Sequence, residues 1–258
     1  MAAISAEVDY VSLPTSLDAS LFAGQVVAVS GGSGSIGRAT AWLAARLGAQ
    51  VVVCGRDAAK LNRLTDAMHA AGLSCGSGVF DVRDRPAVDR HLAEIFERRG
   101  RLDLLVNCAG GQFPQDAIDL SEKGWRAVVD TNLNGSFNMM QSAARLWRDA
   151  GTPGSIVTVV VSPRGLHQLA HTCAARAGVV AFTEAVAVEW APLGIRANCI
   201  APGVIVSDGW RVYEAHVRRR YPDTNPMRRA GSPWDVAEAG LGWCQDGRVD
   251  SSPGRHCI

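Results

Sequence analysis

The stretch VAVSGGSGSIGRATA, residues 27–41, decides the fold. An apolar run leads into a glycine-rich turn, and residues typical of a helix follow at once. Glycines at such a junction let the backbone turn tightly and bring its amide groups against a phosphate at the helix N-terminus. A glycine-rich turn alone is weak evidence, because ordinary strand–helix turns also contain glycine. The strand before it and the helix after it favour a dinucleotide-binding unit.

The rest of the chain repeats this alternation of apolar strand-like runs and helix-like segments. Strands are predicted at 25–30, 50–55, 74–80, 102–107, 154–161 and 195–200, and helices at 36–48, 57–71, 84–98, 121–149 and 172–191. Near-continuous runs of Val, Ile and Leu suit strands that are buried on both faces. The pattern predicts an α/β fold of the Rossmann type, a doubly wound parallel sheet. We expect a single domain over 23–258, preceded by a loose N-terminal arm over 1–22.

Composition limits the location and the partners of the protein. A net charge of +1 does not suggest a nucleic-acid partner. No apolar run reaches membrane-spanning length, and the first residues lack a signal-peptide pattern. The seven cysteines are scattered singly, without the spacing of metal ligands. This usage favours reduced cysteines in a cytosol, so we expect a cytoplasmic protein without a metal, a membrane or a nucleic acid as partner.

The end of the second predicted strand indicates which dinucleotide is bound. A protein that prefers NAD usually places an acid here to bind the ribose 2′-hydroxyl. This chain has Cys54 and Gly55 instead, followed by Arg56. Because a guanidinium can form paired hydrogen bonds with a 2′-phosphate, we predict NADP(H). The alternative is that Arg56 is a solvated charge ahead of Asp57, which is placed to cap the next helix.

Four motifs, SGGSGSIG, NCAG (107–110), TNLNG (131–135) and APGVI (201–205), follow one another in order. With them the chain resembles the short-chain dehydrogenase/reductase family over about residues 22–240. Within that family, GGQF (110–113) and CAARAG (173–178) look most like the peroxisomal trans-2-enoyl-CoA reductases and their bacterial relatives. The resemblance implies a nicotinamide cofactor and a homodimer or homotetramer.

The resemblance also implies the residues of the cofactor site. The phosphate loop comprises Gly31, Ser33, Gly34, Ser35, Ile36 and Gly37, with Ser35 where the family has its middle glycine. Asp81 and Val82 match the pair that lines the adenine, and Asn107, Ala109 and Gly110 match the segment beneath the cofactor. Pro202, Gly203, Ile205 and Ser207 match the turn that holds the nicotinamide amide, here called the nicotinamide turn. Asn132 matches the catalytic asparagine, whose family role is to hold a water in a proton relay.

The family's catalytic serine, tyrosine and lysine are absent. The serine position falls on Val161, beside Ser162, and the other two fall on Thr172 and Arg176. In the usual arrangement tyrosine and lysine share a helix face, and the ammonium lowers the pKa of the phenol. Threonine cannot be brought into that range, and arginine does not titrate. No tyrosine of the chain has a lysine four residues later, so a slip in register does not restore the pair.

Reduction of a conjugated C=C bond makes different demands on such a site. Charge collects on a thioester oxygen as an enolate, which needs hydrogen-bond donors rather than full proton transfer. Thr172 and Arg176 are the predicted catalytic donors, and Arg176 is also expected to bond the cofactor ribose. The remaining titratable candidates are His167, His171, Tyr213 and Tyr221, each of which is otherwise a packing or surface residue. Six arginines within 211–229 suit the phosphates of coenzyme A, or form a solvated helix face.

Three functions fit these observations. The first is an NADP(H)-dependent reductase of a 2-enoyl-CoA, and the second is a carbonyl reductase or alcohol dehydrogenase with another proton donor. The third is a catalytically inactive, cofactor-binding partner subunit. Val161, Thr172, Arg176 and Ser35 favour the third function, whereas Asn132 and the nicotinamide turn favour an enzyme.

The C-terminal sequence departs from the family pattern. The family ends in a strand that reads roughly T-G-x-x-x-x-V-D-G-G, whereas residues 240–258, GLGWCQDGRVDSSPGRHCI, show no strand pattern. We therefore expect the final sheet strand to be missing or altered, and this strand forms part of the family's dimer contact. Codons exist for Ser251 to Cys257 that encode Val-Thr-Gly-Ala-Thr-Leu in another frame, so sequencing of the coding DNA tests a frameshift.

Overall fold

The fold is a doubly wound parallel sheet, as the sequence predicts. The structure, a computed structural model, describes residues 8–161, 165–209 and 227–244. Its strands are β1 (Val26–Ser30), β2 (Gln50–Gly55), β3 (Cys75–Val79), β4 (Leu104–Asn107), β5 (Gly154–Val159) and β6 (Ile195–Ile200). Its helices are α1 (Ser35–Arg46), α2 (Ala58–Ala70), α3 (Arg85–Arg99), α4 (Glu122–Val129), α5 (Gly135–Ala150), α6 (Ala170–Glu189) and α7 (Pro233–Gly242). All neighbouring strands run parallel, in the order β3-β2-β1-β4-β5-β6.

Both faces of the sheet are covered, which explains why its strands lack polar alternation. Val27 and Val29 of β1 belong to the core shared with α1, α2 and α7. Val26 and Ala28 belong to the core on the other face, shared with α3, α5 and α6. Every residue of β1 and β4 is buried as a result.

The order of the strands places a crevice above the ends of β1 and β4. β1 pairs with both β2 and β4, and the chain reverses its direction of winding between these two neighbours. Ser30 and Asn107 are register partners at the carboxyl ends of β1 and β4. Ligands of doubly wound sheets bind at such a reversal, so the fold alone puts the candidate site here.

The helix predicted over 121–149 is interrupted. A π turn over Asp130–Asn134 separates α4 from α5. Around it, the hydroxyl of Thr131 donates to the carbonyl oxygen of Ala127, and that of Ser136 donates to the carbonyl oxygen of Asn132. A π turn adds one residue to a helical turn, which hydrophobic periodicity does not reveal, and such turns often occur at functional sites.

In the described part of the predicted arm, residues 8–22, Tyr10 and Phe22 are buried, whereas most of the other side chains are exposed. That the arm over 1–22 is loose as a whole stays a prediction. The Tyr10 ring lies 5.9 Å from the Trp42 ring and 6.1 Å from the Trp234 ring, measured between centroids. Arg46 Nη1 donates to the Tyr10 carbonyl oxygen at 2.9 Å. These partners lie far apart in the sequence, so no local pattern could reveal them. The domain boundary at residue 23 stays a prediction.

Two further sequence predictions concern membrane-spanning helices and the C-terminal strand. Among the described helices, none combines the length and the apolar character needed to cross a bilayer. Residues 245–258 lie outside the described residues, so the missing or altered final strand stays a prediction.

The packing of the arm predicts a stability effect. Tyr10 is 8% exposed, whereas the neighbouring Val11 is 55% exposed. We expect Tyr10→Ala to lower the free energy of unfolding by about 2–4 kcal/mol, because it leaves a cavity between two tryptophans. Val11→Ala is the matched control, and we expect it to have little effect. Urea midpoints measure both, and equal midpoints for the two variants would show that the arm does not contribute.

Candidate active site

The phosphate loop is built from close approaches that only glycine allows. Gly31 has φ +66°, and a Cβ there would lie 2.7 Å from the amide nitrogen of Ala109. A Cβ at Gly37 would collide with the carbonyl oxygen of Gly31. Gly34, the N-cap of α1, offers no side-chain acceptor to the amides of the first helical turn. This cradle fits the pyrophosphate of a dinucleotide.

The remaining loop residues, Ser33, Ile36 and Ser35, differ in what they contact. A Cβ at Gly55, the last residue of β2, would lie 3.5 Å from the Ser33 hydroxyl oxygen, so Ser33 lies beside the end of that strand. The Ile36 carbonyl oxygen accepts a hydrogen bond from the Thr40 hydroxyl at 2.9 Å, inside the helix. Ser35 instead directs its hydroxyl out of the loop, to Asp208, 3.1 Å from its carboxylate.

Arg56 is held only loosely by the protein. Its side chain is 67% exposed, and its Nη1 lies 3.8 Å from the Asp81 carboxylate. Asp81 has a closer partner in Arg83, whose Nη2 lies at 2.6 Å. The hydrogen bond from Arg83 is the main reason why the pKa of Asp81 lies below its usual value, ahead of the charge of Arg56. The Arg56 guanidinium is therefore available to an external anion.

A short polar chain joins the strand ends beneath the crevice. The Ser30 hydroxyl donates to Asn107 Oδ1 at 3.2 Å and accepts from the Ala109 amide at 3.3 Å. Asn107 Nδ2 in turn donates to the Thr158 hydroxyl at 3.3 Å. Nearby, Val82 packs so closely on α5 that Gly135 has no room for a Cβ. The chain fixes β1, β4 and β5 relative to one another at the site.

Thr172 and Arg176 lie on the buried face of α6, one turn apart, and are 1% and 8% exposed. Arg176 Nη2 donates to the carbonyl oxygen of Ala109 at 3.2 Å. The guanidinium covers Gly110 so closely that a Cβ there would overlap it. Within the described part of the chain, Arg176 Nη1 and Thr172 Oγ1 are buried without a hydrogen-bond partner. Helix α6 therefore carries two buried donors that no described residue uses.

The charge of Arg176 is buried and lacks a carboxylate partner among the described residues. Burial lowers the pKa of its guanidinium well below the usual value, to about 10, while Cys108 and Cys199 act in the opposite direction. The group therefore stays protonated at neutral pH. A buried cation of this kind favours any anion or developing negative charge that enters the site.

The π turn brings Asn132 to the same place. Its side chain is buried and bonds Gly111 twice, accepting from the amide and donating to the carbonyl oxygen, both at 2.9 Å. A Cβ at Gly110 would lie 2.8 Å from its Oδ1, so Asn132 and Arg176 flank the same glycine. Asn132 thus fixes the loop after β4, and its role in a water relay stays a prediction.

The two described histidine candidates differ sharply. His167 is exposed, whereas His171 is fully buried in the first turn of α6. Its ring stands edge-on to Phe113 at 4.7 Å, and its Nδ1 accepts from the amide of Thr172 at 2.9 Å. Val161 is half-buried just beyond β5. Ser162, Tyr213 and Tyr221 lie outside the described residues.

The nicotinamide turn is anchored on one side by backbone pairing. Ile205 forms a β-bridge with Gly231, and the Val206 amide donates to the Gly231 carbonyl oxygen at 2.9 Å. Pro202, Gly203 and Ser207 belong to the same turn, and their contact with a cofactor stays a prediction. Sequence reasoning missed Asp208, which follows the turn, because nothing in the sequence distinguishes it from other surface acids.

Comparisons with known proteins agree with this geometry. A family model described as enoyl-(acyl carrier protein) reductase matches residues 16–248. A probable 2,4-dienoyl-CoA reductase of Bacillus subtilis (strain 168) is 34% identical over 219 residues, which cover 83% of this chain and 86% of that protein. A 3-oxoacyl-[acyl-carrier-protein] reductase of Chlamydia pneumoniae is 31% identical, over 84% of this chain and 88% of its own.

Solved structures show the same likeness. A short chain dehydrogenase from Bacillus anthracis superimposes with a TM-score of 0.82 at 32% identity, covering 92% of this chain and 95% of that one. A citronellol catabolism dehydrogenase of Pseudomonas aeruginosa PAO1 superimposes with a TM-score of 0.77 at 36% identity, covering 88% of this chain and 90% of that one. The chain therefore belongs to the short-chain dehydrogenase/reductase family of oxidoreductases, which use a nicotinamide cofactor.

Proposed function

We propose that the protein is an NADP(H)-dependent reductase that adds a hydride and a proton across the C=C bond of a 2-enoyl-CoA. One observation carries the proposal. Where the family places its proton-transferring pair, Thr172 and Arg176 are buried, each with a donor that has no partner among the described residues, and neither exchanges a proton near neutral pH. A developing enolate oxygen needs such donors, whereas the alkoxide from a ketone needs a proton.

Each part of the site has a role under this proposal. The amides of the phosphate loop would hold the pyrophosphate, Arg56 the 2′-phosphate and Asp81 the adenine. The bound cofactor would supply the hydride that reaches the β-carbon. Thr172 Oγ1 and Arg176 Nη1 would donate to the thioester oxygen, and the fixed charge of Arg176 would stabilise the enolate. The α-carbon would take its proton from water.

The energetic cost of Arg176 supports a functional role for it. Burial lowers the pKa of the Arg176 guanidinium well below its usual value, to about 10, because desolvation disfavours the charged form. An apolar residue in the same space would avoid this cost. Because a buried charge without a carboxylate partner among the described residues costs free energy, its presence supports a role in binding a ligand or in the reaction.

The deciding experiment is NADPH oxidation with a panel of substrates. It comprises crotonyl-CoA, longer 2-enoyl-CoAs, a 2,4-dienoyl-CoA, a 3-oxoacyl thioester and simple ketones. Turnover confined to the C=C substrates supports the proposal. Turnover confined to carbonyls would establish the second candidate, a carbonyl reductase, which the 3-oxoacyl reductase among the relatives favours. Tight NADPH binding with no turnover at all would establish an inactive, cofactor-binding subunit.

The exposure of Arg56 predicts the cofactor preference. NADPH should bind more tightly than NADH, and Arg56→Ala should remove about 1.5–3 kcal/mol of that preference, on the order of ten- to a hundredfold in affinity. Arg148→Ala, an equal change of charge at the far end of α5, should leave the preference unchanged. Dissociation constants by calorimetry test this, and equal binding of NADH and NADPH by the wild type would exclude it.

The unused hydroxyl of Thr172 predicts a kinetic effect. Thr172→Val keeps the shape and removes the donor, so turnover of an enoyl-CoA should fall by about 2.7–4 kcal/mol in barrier, on the order of a hundred- to a thousandfold. NADPH affinity should hardly change. Thr183→Val is the matched control, because Thr183 is buried on the same helix but already bonds the Val179 carbonyl oxygen. If both variants turn over like the wild type, Thr172 has no part in the reaction.

The buried charge of Arg176 predicts opposite effects on stability and on function. Arg176→Met should raise the free energy of unfolding of the free protein by about 1–4 kcal/mol, because the desolvation penalty is lost. It should also depress turnover and weaken NADPH binding, since the guanidinium is expected to touch the ribose. Urea unfolding and NADPH titration measure both properties. A destabilised variant would instead assign Arg176 a structural role through its bond to Ala109.

A further inference from the structure

Asp208 ties the nicotinamide turn to the phosphate loop. Ser35 Oγ donates to Asp208 Oδ2 at 3.1 Å and accepts from the Asp208 amide at 3.0 Å. Arg38 Nη2 lies 3.6 Å from the same carboxylate oxygen. We call these contacts of Ser35, Arg38 and Asp208 the clasp. It joins two parts of the cofactor site that are 173 residues apart in the sequence.

The clasp lies where the cofactor phosphates fit. Ser35 is the first residue of α1, and the N-cap Gly34 leaves the amides of that turn without a side-chain acceptor. The first turn of α1 also contains no acid of its own. The N-terminus of a helix favours a nearby negative charge, and the Asp208 carboxylate lies beside this one. Because this end of the helix favours both anions, the Asp208 carboxylate and the cofactor pyrophosphate would compete for it.

We propose that Ser35 and Asp208 together set the affinity of the protein for its dinucleotide, because the pyrophosphate can bind only when the clasp opens. The Ser35 side chain stands where the family has a glycine, and its hydroxyl holds an acid beside the phosphate loop. Binding therefore has to break two hydrogen bonds and to tolerate a carboxylate near the phosphates. The proposal rests on the nicotinamide cofactor of the family and not on the enoyl-CoA substrate.

The exposure of the clasp sets the size of the effect. The side chains of Arg38 and Asp208 are 37% and 54% exposed, and solvent weakens hydrogen bonds and ion pairs in such positions. The clasp therefore opens readily and reduces affinity without preventing binding. On its other side the turn is held by the Ile205–Gly231 bridge, which contains no group of the clasp. Opening the clasp thus frees Asp208 while the anchored part of the turn stays in place.

Titrations of NADPH against the wild type, Asp208→Asn, Ser35→Ala and Ser35→Gly test the proposal. Asp208→Asn removes the charge but keeps an acceptor, and Ser35→Ala removes the hydroxyl but keeps the Cβ. We expect each variant to bind NADPH three- to tenfold more tightly than the wild type, about 0.7–1.4 kcal/mol. Dissociation constants from calorimetry or from quenching of protein fluorescence are the readout, and urea midpoints check that each variant is folded.

Two controls isolate the contribution of charge at the clasp. Asp149→Asn makes the same change of net charge on an exposed acid at the end of α5, where the acid pairs with Arg148, and should leave the affinity unchanged. The advantage of Asp208→Asn should shrink as salt is raised, because salt screens the repulsion between exposed charges.

The opposite results overturn the proposal. If Asp208→Asn and Ser35→Ala bind NADPH as the wild type does, or more weakly, the clasp does not compete with the phosphates. If only Ser35→Gly binds NADPH more tightly, the Ser35 Cβ alone crowds the loop, and the proposal is wrong. The proposal is also wrong if none of the variants binds NADPH. If the variants show the expected NADPH affinities but the protein does not turn over any enoyl-CoA, the proposed function is refuted and the proposal about the clasp still holds.

Discussion

The close approach of Gly31 to Ala109 is the constraint on which the site depends. These residues follow the ends of β1 and β4. Only glycine fits at position 31, because a Cβ there would lie 2.7 Å from the backbone nitrogen of Ala109. The same junction positions the phosphate loop on one side and the carbonyl oxygen that receives Arg176 on the other. The polar chain through Ser30, Asn107 and Thr158 then locks it.

At the other end of the candidate site, helix α6 buries the positive charge of Arg176. Arg176 lies over Gly110 with one guanidinium nitrogen unused, and burial of its charge lowers the pKa of the group to about 10. Thr172 beside it offers a hydroxyl that also has no partner in the described structure. Neither group transfers a proton near neutral pH, so the pair is suited to stabilising negative charge and not to protonating it.

The phosphate-loop end of the site carries two charges of opposite sign, those of Arg56 and Asp208. Arg56 is exposed and only weakly held by Asp81, whose main partner is Arg83, so it can attract an additional phosphate. Asp208 contributes a negative charge at the start of α1, through a serine that replaces a glycine of the family. The glycine cradle itself is intact at Gly31 and Gly37. Under our proposal, Arg56 and the Ser35–Asp208 contact thus adjust the affinity for the dinucleotide in opposite directions around an intact cradle.

The sequence by itself determined the sheet and its order of elements, because strands buried on both faces must be apolar throughout, as β1 is, and because the turn after β1 needs its glycines. Through the resemblance to the short-chain dehydrogenase/reductase family it also identified Thr172 and Arg176, which occupy the family's tyrosine and lysine positions, and the i, i+4 spacing predicts that they share a helix face. Only the tertiary structure decided the rest. It placed Tyr10 between Trp42 and Trp234 and brought Ser35 against Asp208. It also buried Arg176 without a carboxylate partner among the described residues. Local pattern carries no information on such contacts, because they arise when packed elements bring remote side chains into reach.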